Sequence, residues 1–202
     1  PDVSMFESKG YLLIRVKEAL LALIDLVFSE ARRFFHAEKD TKRRCSIPGM
    51  NEGWQDIGNE FSQDSTRPDL NETFWVTWKN RQRVLETYLE QGLSFYDIMT
   101  QCLLAYHEIE REITSTLFRY YVSDEAGPEF NCQYDSDLLV VYYQPDQHIR
   151  ELLQESHEDG TYMTIVKPTK PGLELLLGDN SFHPVRIERE QLLVMPGEIM
   201  SL

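Results

Sequence analysis

The stretch His157-Glu158-Asp159-Gly160-Thr161-Tyr162-Met163-Thr164-Ile165-Val166 decides how the rest of this sequence reads. A histidine and an aspartate two residues apart open a β-branched, apolar run. In an extended strand, residues i and i+2 point to the same face. His157 and Asp159 are therefore expected to aim an imidazole nitrogen and a carboxylate oxygen at one point, with Glu158 facing away. Such a mixed nitrogen/oxygen pair suits a divalent first-row metal. It also supplies two of the three ligands of the 2-His-1-carboxylate facial triad that holds non-haem Fe(II). The same tripeptide can equally describe a solvated turn, so its surroundings have to decide between the two.

Those surroundings are specific. Tyr143, fourteen residues before His157, belongs to Leu138-Leu139-Val140-Val141-Tyr142-Tyr143-Gln144-Pro145. Gly172, fifteen residues after it, belongs to Lys170-Pro171-Gly172-Leu173-Glu174-Leu175-Leu176. Phe182-His183-Pro184-Val185 follows, then Gln191-Leu192-Leu193-Val194-Met195-Pro196-Gly197-Glu198-Ile199-Met200. In this order and spacing the sequence resembles the isopenicillin N synthase-like family of iron- and 2-oxoglutarate-dependent oxygenases. Members of that family read as a Tyr-Tyr-Pro strand, His-x-Asp before Leu-Thr-Leu-Leu, Pro-Gly-Leu-Gln-Val, Trp-x-Pro-Val and a Val-Asn-x-Gly-Asp strand. His-Glu-Asp is the form of the metal motif found in isopenicillin N synthase.

The resemblance implies an α+β chain whose core is a double-stranded β-helix (jelly-roll), with an N-terminal helical portion packed on it. It implies His157 and Asp159 as iron ligands and Thr164 as a packing residue of the barrel. Tyr143, with Tyr142 as the fallback, matches a tyrosine whose hydroxyl reaches the 2-oxoglutarate carboxylate or the iron shell. The cofactors implied are Fe(II) and, as co-substrate, 2-oxoglutarate. The reaction is oxidation of a small organic substrate by O2, giving hydroxylation, desaturation or ring closure. Alternatives within the same resemblance are an oxidase of the isopenicillin synthase type that uses no 2-oxoglutarate, and a non-catalytic jelly-roll binding protein or shortened paralogue. The sequence also departs from the family pattern. Val141 stands where Asn is usual, Gln144 where Pro is common, and Gly160-Thr161 where x-Gly or x-Ser is usual. The family's second histidine ligand and its Arg-x-Ser pair follow the last strand. The only histidine after His157 is His183, in the Trp-x-Pro-Val segment, which is not a ligand position. The sequence therefore reads as a portion of a longer oxygenase. With its closing strands absent, the strand at 191–195 is expected to sit as an exposed apolar edge. The start at Pro1-Asp2-Val3 likewise suggests a missing N-terminal piece.

Composition fits a well-cored chain of 202 residues, 42% hydrophobic and 27% charged. A formal net charge of −14 argues against nucleic acid or an anionic membrane surface as a partner, since either needs a basic face. The apolar run Ala19–Phe28 is broken by Asp25 and too short to span a bilayer. Cys45, Cys102 and Cys132 are odd in number and lack zinc-ligand spacing, which points to reduced thiols and a cytoplasmic location.

From the beginning of the chain, residues 10–16 read as a short buried strand after Gly10. Residues 17–37 carry an i, i+3, i+4, i+7 apolar stripe that predicts an amphipathic helix ending in Phe34-Phe35. A mixed-charge helix end spans 38–44. The Gly-Tyr-Leu-Leu strand, the Phe-Phe helix and the lysine-bearing turn occur in the family's order. Residues 45–80 read as loop with short elements, broken at Pro48-Gly49, Gly53, Gly58 and Arg67-Pro68-Asp69. Within them Gly53-Trp54 and Asp69-Leu70-Asn71-Glu72-Thr73-Phe74 match the family's Gly-Tyr and Asp-x-x-Glu-x-Phe segments, read either as a substrate-side wall or as a structural loop with buried aromatics. Two helices are expected to meet near Gly92, the second running from about 94 to 120. His107, beside Glu108 and Glu112, is read as a boundary residue and not a ligand; His36, His148 and His183 are read as surface or packing residues. A polar connector, 123–136, divides the helical portion 1–136 from a β-rich portion 137–202, the two together forming one domain. Strands are expected at 137–143, 161–167, 173–177, 182–188 and 191–195.

Overall fold

Leu192, Leu193 and Val194 are wholly buried, because the strand that carries them is paired on both sides. The computed structural model describes residues 2–47, 51–62, 64, 66–90, 94–121, 136–144 and 152–200. It folds into two compact units. One comprises Pro1–Leu21, Glu108–Cys132 and Glu158–Leu202, the other Ala22–His107 and Gln133–His157. The turn at Pro48-Gly49, the break at Gly92, the connector 123–135 with Cys132, and Pro145 and His148 lie outside the described residues.

The first unit is built on an antiparallel sheet in the order β1 (Leu12–Arg15), β8 (Gln191–Pro196), β5 (Met163–Val166). Leu12 lies opposite Val194, and Ile165 lies opposite the same Val194 from the other side. This corrects the expectation of an exposed edge at 191–195. The chain's own N-terminal strand supplies the hydrogen-bond partners that the sequence reading assigned to strands further on. A helix that the sequence reading missed, α1 (Ser4–Lys9), ends on Gly10 in the left-handed conformation. Val3 and Phe6 pack with Leu12, Val194 and Met200. Ile113 and Leu117 of α5 (Ser94–Tyr121) complete that core. Lys167 ties off the β5 end by donating from Nζ to the carbonyls of Glu188, Arg189 and Gln191. A two-stranded ribbon of β6 (Glu174–Leu176) and β7 (Phe182–Pro184) belongs to the same unit.

The second unit holds a sheet ordered β2 (Gly53–Gln55), β3 (Asn71–Thr77), β4 (Asp137–Tyr143), all antiparallel. β3 is a seven-residue central strand, so the reading of 45–80 as loop is corrected. Its sequence, Asn-Glu-Thr-Phe-Trp-Val-Thr, is buried on both faces, and the apolar/polar alternation that marks a half-buried strand is lost. Side chains alternate across the sheet. Glu72, Phe74, Val76 and Tyr142 take one face, and Asn71, Thr73, Trp75 and Tyr143 take the other.

The first face is covered by helices. Phe34 of α2 (Glu18–Phe35) meets Phe74 edge-on at 4.9 Å, and Phe95 meets Phe74 at the same distance. Tyr88 of α4 (Arg81–Glu90) and Tyr96 close the cluster, a geometry worth somewhat more than its buried area alone. Phe34-Phe35 is thus core, as the helical stripe implies. At the edge of this layer Glu72 is fully buried. Its Oε2 accepts from Lys42 Nζ at 2.5 Å and from Trp54 Nε1 at 2.8 Å, and its Oε1 accepts from Gln144 Nε2 at 2.8 Å. Lys42 sits on α3 (Lys39–Arg43) and also donates to the Phe35 carbonyl. Gly53 is required by its position. It has φ +72°, and a Cβ there would lie 1.9 Å from the Cys45 carbonyl oxygen. Cys45 and Cys102 are both buried free thiols. No helix among the described residues is long and apolar enough to cross a membrane.

Candidate active site

The second face of β3 and β4 is polar. Asn71 and Thr73 are buried on it, opposite the helix-covered face, and buried polar side chains call for hydrogen-bond partners. The loop before β3 supplies Glu60, Ser62 and Asp69. The backbone N–H of Asp69 donates to the Glu60 carbonyl at 2.9 Å, which fixes the loop. Trp75 Nε1 donates to Thr73 Oγ1 at 2.9 Å, and Thr73 Oγ1 donates to Glu60 Oε1 at 3.0 Å. Burial raises the Glu60 carboxyl above the ordinary glutamate range. The Thr73, Trp75 and Asn71 side chains oppose that shift, and the charge of Asp69 adds to it.

Tyr143 stands opposite Asn71 at the end of β4, and its hydroxyl donates to Gln154 Oε1 at 2.6 Å. Its pKa is pushed up to about 12 by burial first, and then by the negative charges of Asp69 and Glu60. The hydroxyl therefore keeps its proton, and its capacity to donate, at neutral pH. Tyr142 points the other way, stacking on Phe35 with centroids 5.0 Å apart, its hydroxyl 3.1 Å from His36 Nε2.

His157 ends the segment 152–157, which is tied to the loop in three ways. Leu70 N–H donates to the Leu153 carbonyl at 2.9 Å, Arg67 pairs with Glu155 at 3.4 Å, and Gln154 receives Tyr143. The His157 ring is held through Nδ1, 2.9 Å from the Glu155 carbonyl and 3.4 Å from Ser62 Oγ. A carbonyl can only accept, so Nδ1 carries the proton and Nε2 is the basic nitrogen of the neutral ring. Ser62 in turn donates to Asp69 Oδ2 at 2.8 Å. An orienting bond to one ring nitrogen is the usual companion of metal ligation by the other.

Asp159 belongs to the segment Glu158–Leu202 of the first unit. Its carbonyl accepts from Glu198 N–H at 2.9 Å, while the Thr161 and Tyr162 carbonyls accept from Ile199 and Gly197. Gly197 admits this contact because a Cβ there would fall 2.0 Å from the Thr161 oxygen. The backbone from 159 to 162 is thus clamped to the turn after β8. One expectation needs correcting: His157 and Asp159 do not lie in a strand, since β5 begins only at Met163. Their orientation follows from the backbone and side-chain bonds just described and not from β alternation. Thr164 Oγ1 lies 3.1 Å from Thr161 Oγ1.

Among the described residues no three His, Cys, Asp or Glu side chains gather as a metal-binding group. His107 is stacked on Trp78 at 4.1 Å, and Arg81 lies over the same ring at 3.7 Å. Ser62, Glu60 and Gln154 escaped the sequence reading. Nothing in their spacing marks them, because strand register and a loop closure bring them together.

Residues 4–91 match the family model described as the N-terminal region of the non-haem dioxygenases in morphine synthesis. No curated protein matches the chain. Among solved structures, a putative 2OG-Fe(II) oxygenase family protein from Caulobacter crescentus is similar with TM-score 0.77 at 18% identity. That match covers 98% of this chain and 68% of the other. A full-length Neurospora crassa protein in complex with alpha-KG gives 0.69 at 17%, covering 96% and 65%. The Arabidopsis thaliana dioxygenase for auxin oxidation 1, in its binary complex with 2-oxoglutarate, gives 0.71 at 16%, covering 96% and 73%. These likenesses establish the fold, and the chain spans 65–73% of the length of these three proteins.

Proposed function

We propose that the chain is a member of the 2OG-Fe(II) oxygenase superfamily, on its N-terminal family match and its fold, and that it is an Fe(II)/2-oxoglutarate-dependent dioxygenase. It oxidises a small organic substrate with O2 in the cytoplasm, and neither nucleic acid nor membrane is a partner. In this reading the helical portion 1–136 and the β-rich portion 137–202 together form one domain with a double-stranded β-helix core. Supporting this reading most directly is the Nδ1 contact of His157 with the Glu155 carbonyl, which presents Nε2 as a neutral donor of the kind a divalent metal takes. His157 and Asp159 hold the metal in this reading, an imidazole and a carboxylate that fit Fe(II) by donor type. Bound Fe(II) supplies the redox chemistry that joins O2 reduction to the decarboxylation of 2-oxoglutarate. Succinate and CO2 would be the co-products. Within the chain, the Glu155 carbonyl keeps the imidazole in its metal-binding tautomer, and Tyr143, held protonated, would turn its one hydroxyl hydrogen from Gln154 to the co-substrate when that binds.

The test is succinate formation. The natural protein supplied with Fe(II), ascorbate, 2-oxoglutarate and air should release succinate, measured by proton NMR, above the level given by its His157→Ala variant. Oxygen uptake that does not depend on 2-oxoglutarate would overturn the co-substrate assignment, and equal succinate from the two proteins would overturn the reading as a whole.

Tyr143→Phe removes one hydrogen bond, a loss of about 0.5–1.5 kcal/mol. The KM for 2-oxoglutarate is expected to rise about 2- to 10-fold. Tyr142→Phe should leave it unchanged, because that ring is occupied with Phe35. The reverse outcome in co-substrate titrations of the two variants would exclude Tyr143.

A further inference from the structure

We propose that Asp69 and Glu60 receive a positively charged amine on the substrate, with Asn71 serving a neutral oxygen beside it. The inference rests on the oxygenase reading for the word substrate, but the binding site itself stands on separate observations. Asp69 is 2% exposed, and its Oδ2 takes the Ser62 hydroxyl, yet its Oδ1 has no hydrogen-bond partner. Asn71 is equally buried. Its amide lies close enough to favour the Glu60 carboxylate, but Nδ2 meets no acceptor at hydrogen-bonding geometry.

The other buried carboxylates of this unit are treated differently. Glu72, on the opposite face, has Lys42, Trp54 and Gln144. Glu52 accepts from Tyr96 at 2.6 Å and twice from Thr77. An unserved carboxylate oxygen, Asp69 Oδ1, next to a second carboxylate, is therefore peculiar to the polar face among these acids. Among the described residues no Lys or Arg pairs with Asp69 or Glu60. A buried carboxylate oxygen without a donor is costly, and a ligand ammonium with three N–H donors is the group that relieves it.

The position fits a substrate role. Asp69 is linked through Ser62 to the ring of His157, and the charges of Asp69 and Glu60 both act on the Tyr143 hydroxyl. Asp69 is thus connected to the side chain assigned to the metal, and both acids act on the one assigned to the co-substrate. A substrate carboxylate placed there would face two like charges and be rejected, so the same residues select against anionic compounds.

Saturation-transfer NMR with benzylammonium chloride, benzyl alcohol and sodium benzoate tests the charge preference on a constant ring. It is run at pH 7.5 in 0.15 M salt, where exposed charges are largely screened. Benzylammonium should bind saturably and benzoate should not. Asp69→Asn and Glu60→Gln should each weaken benzylammonium at least 10-fold. Asp40→Asn and Glu108→Gln, which alter exposed acids, should leave it unchanged. Circular dichroism reports folding of each variant, and if Asp69→Asn does not fold, Glu60→Gln decides. Benzoate binding as tightly as benzylammonium, or undiminished binding in the folded variants, overturns the proposal. Mn(II) titration of the wild-type protein keeps the two questions apart. Amine binding without metal binding would support this site and count against the oxygenase reading, whereas metal binding without amine binding would do the opposite.

Discussion

Glu72→Ala is expected to destabilise the protein by about 3–5 kcal/mol, the cost of leaving one partner of a buried ion pair uncompensated. The carboxylate is 1% exposed and receives three donors, one of them the Lys42 ammonium, itself buried. Without Glu72 that ammonium retains only the Phe35 carbonyl and the face of Trp54, 5.3 Å away. Trp54 Nε1 and Gln144 Nε2 lose their acceptor at the same time. For a chain of this size the loss corresponds to a fall in Tm of roughly 6–20 °C, read by differential scanning calorimetry. The double variant Lys42→Met/Glu72→Leu separates charge from volume. Because it removes both ions, it should recover most of the loss. If Glu72→Ala melts within 2 °C of the wild type, roughly what 1 kcal/mol produces at this size, the ion pair does not hold β3 to α3.

Metal affinity should respond more sharply still. In the natural protein, His157→Ala and Asp159→Ala are each expected to weaken Mn(II), a redox-inert stand-in for Fe(II), by at least about 100-fold, beyond the 10–100-fold typical of losing an outer-shell partner. Glu158→Ala should change it less than about 3-fold, well inside that outer-shell range, since that side chain is exposed. Isothermal titration under argon gives all three affinities. Full-strength binding by Asp159→Ala would remove that residue from the ligand set. The reason for sparing Glu158 differs from the one the sequence suggests. No strand alternation operates at 157–159, and what orients His157 is its Nδ1 contact with the Glu155 carbonyl.

Much of the architecture was legible wherever one physical signal acted alone. The apolar stripe of 17–37 gave α2, the Gly/Pro-free run after 94 gave α5, and the β-branched stretch 137–143 matches β4 to the residue. β3 was not legible, because a strand buried on one face by aromatics and on the other by hydrogen-bonded polar side chains shows neither a period of two nor an apolar run. α1 was missed since six residues cannot display a helical period. The partner of β8 was missed for a different reason. Nothing in Leu12-Leu13-Ile14 says that its complement lies at the other end of the sequence. Of the polar face, Tyr143, His157 and the segment 69–74 could be read from motifs. Glu60, Ser62 and Gln154 belong to it through loop closure, which spacing in the chain does not encode.

The pairing of β1 with β8 also sets a timetable. Leu12 and Val194 are partners across about 180 residues of chain, so β1 leaves the ribosome long before its complement exists. At translation speeds of about 5–20 residues per second, the interval is on the order of 10–40 s. Throughout that time Leu12 and Ile14 have no strand to cover them, whereas β2, β3 and β4 can pair as soon as residue 143 has emerged. Such a long-range closure is slow for entropic reasons and leaves an apolar edge open to wrong partners. During synthesis, then, β1 waits for a partner made about 180 residues later, and the first unit depends on whatever shields that strand until β8 arrives.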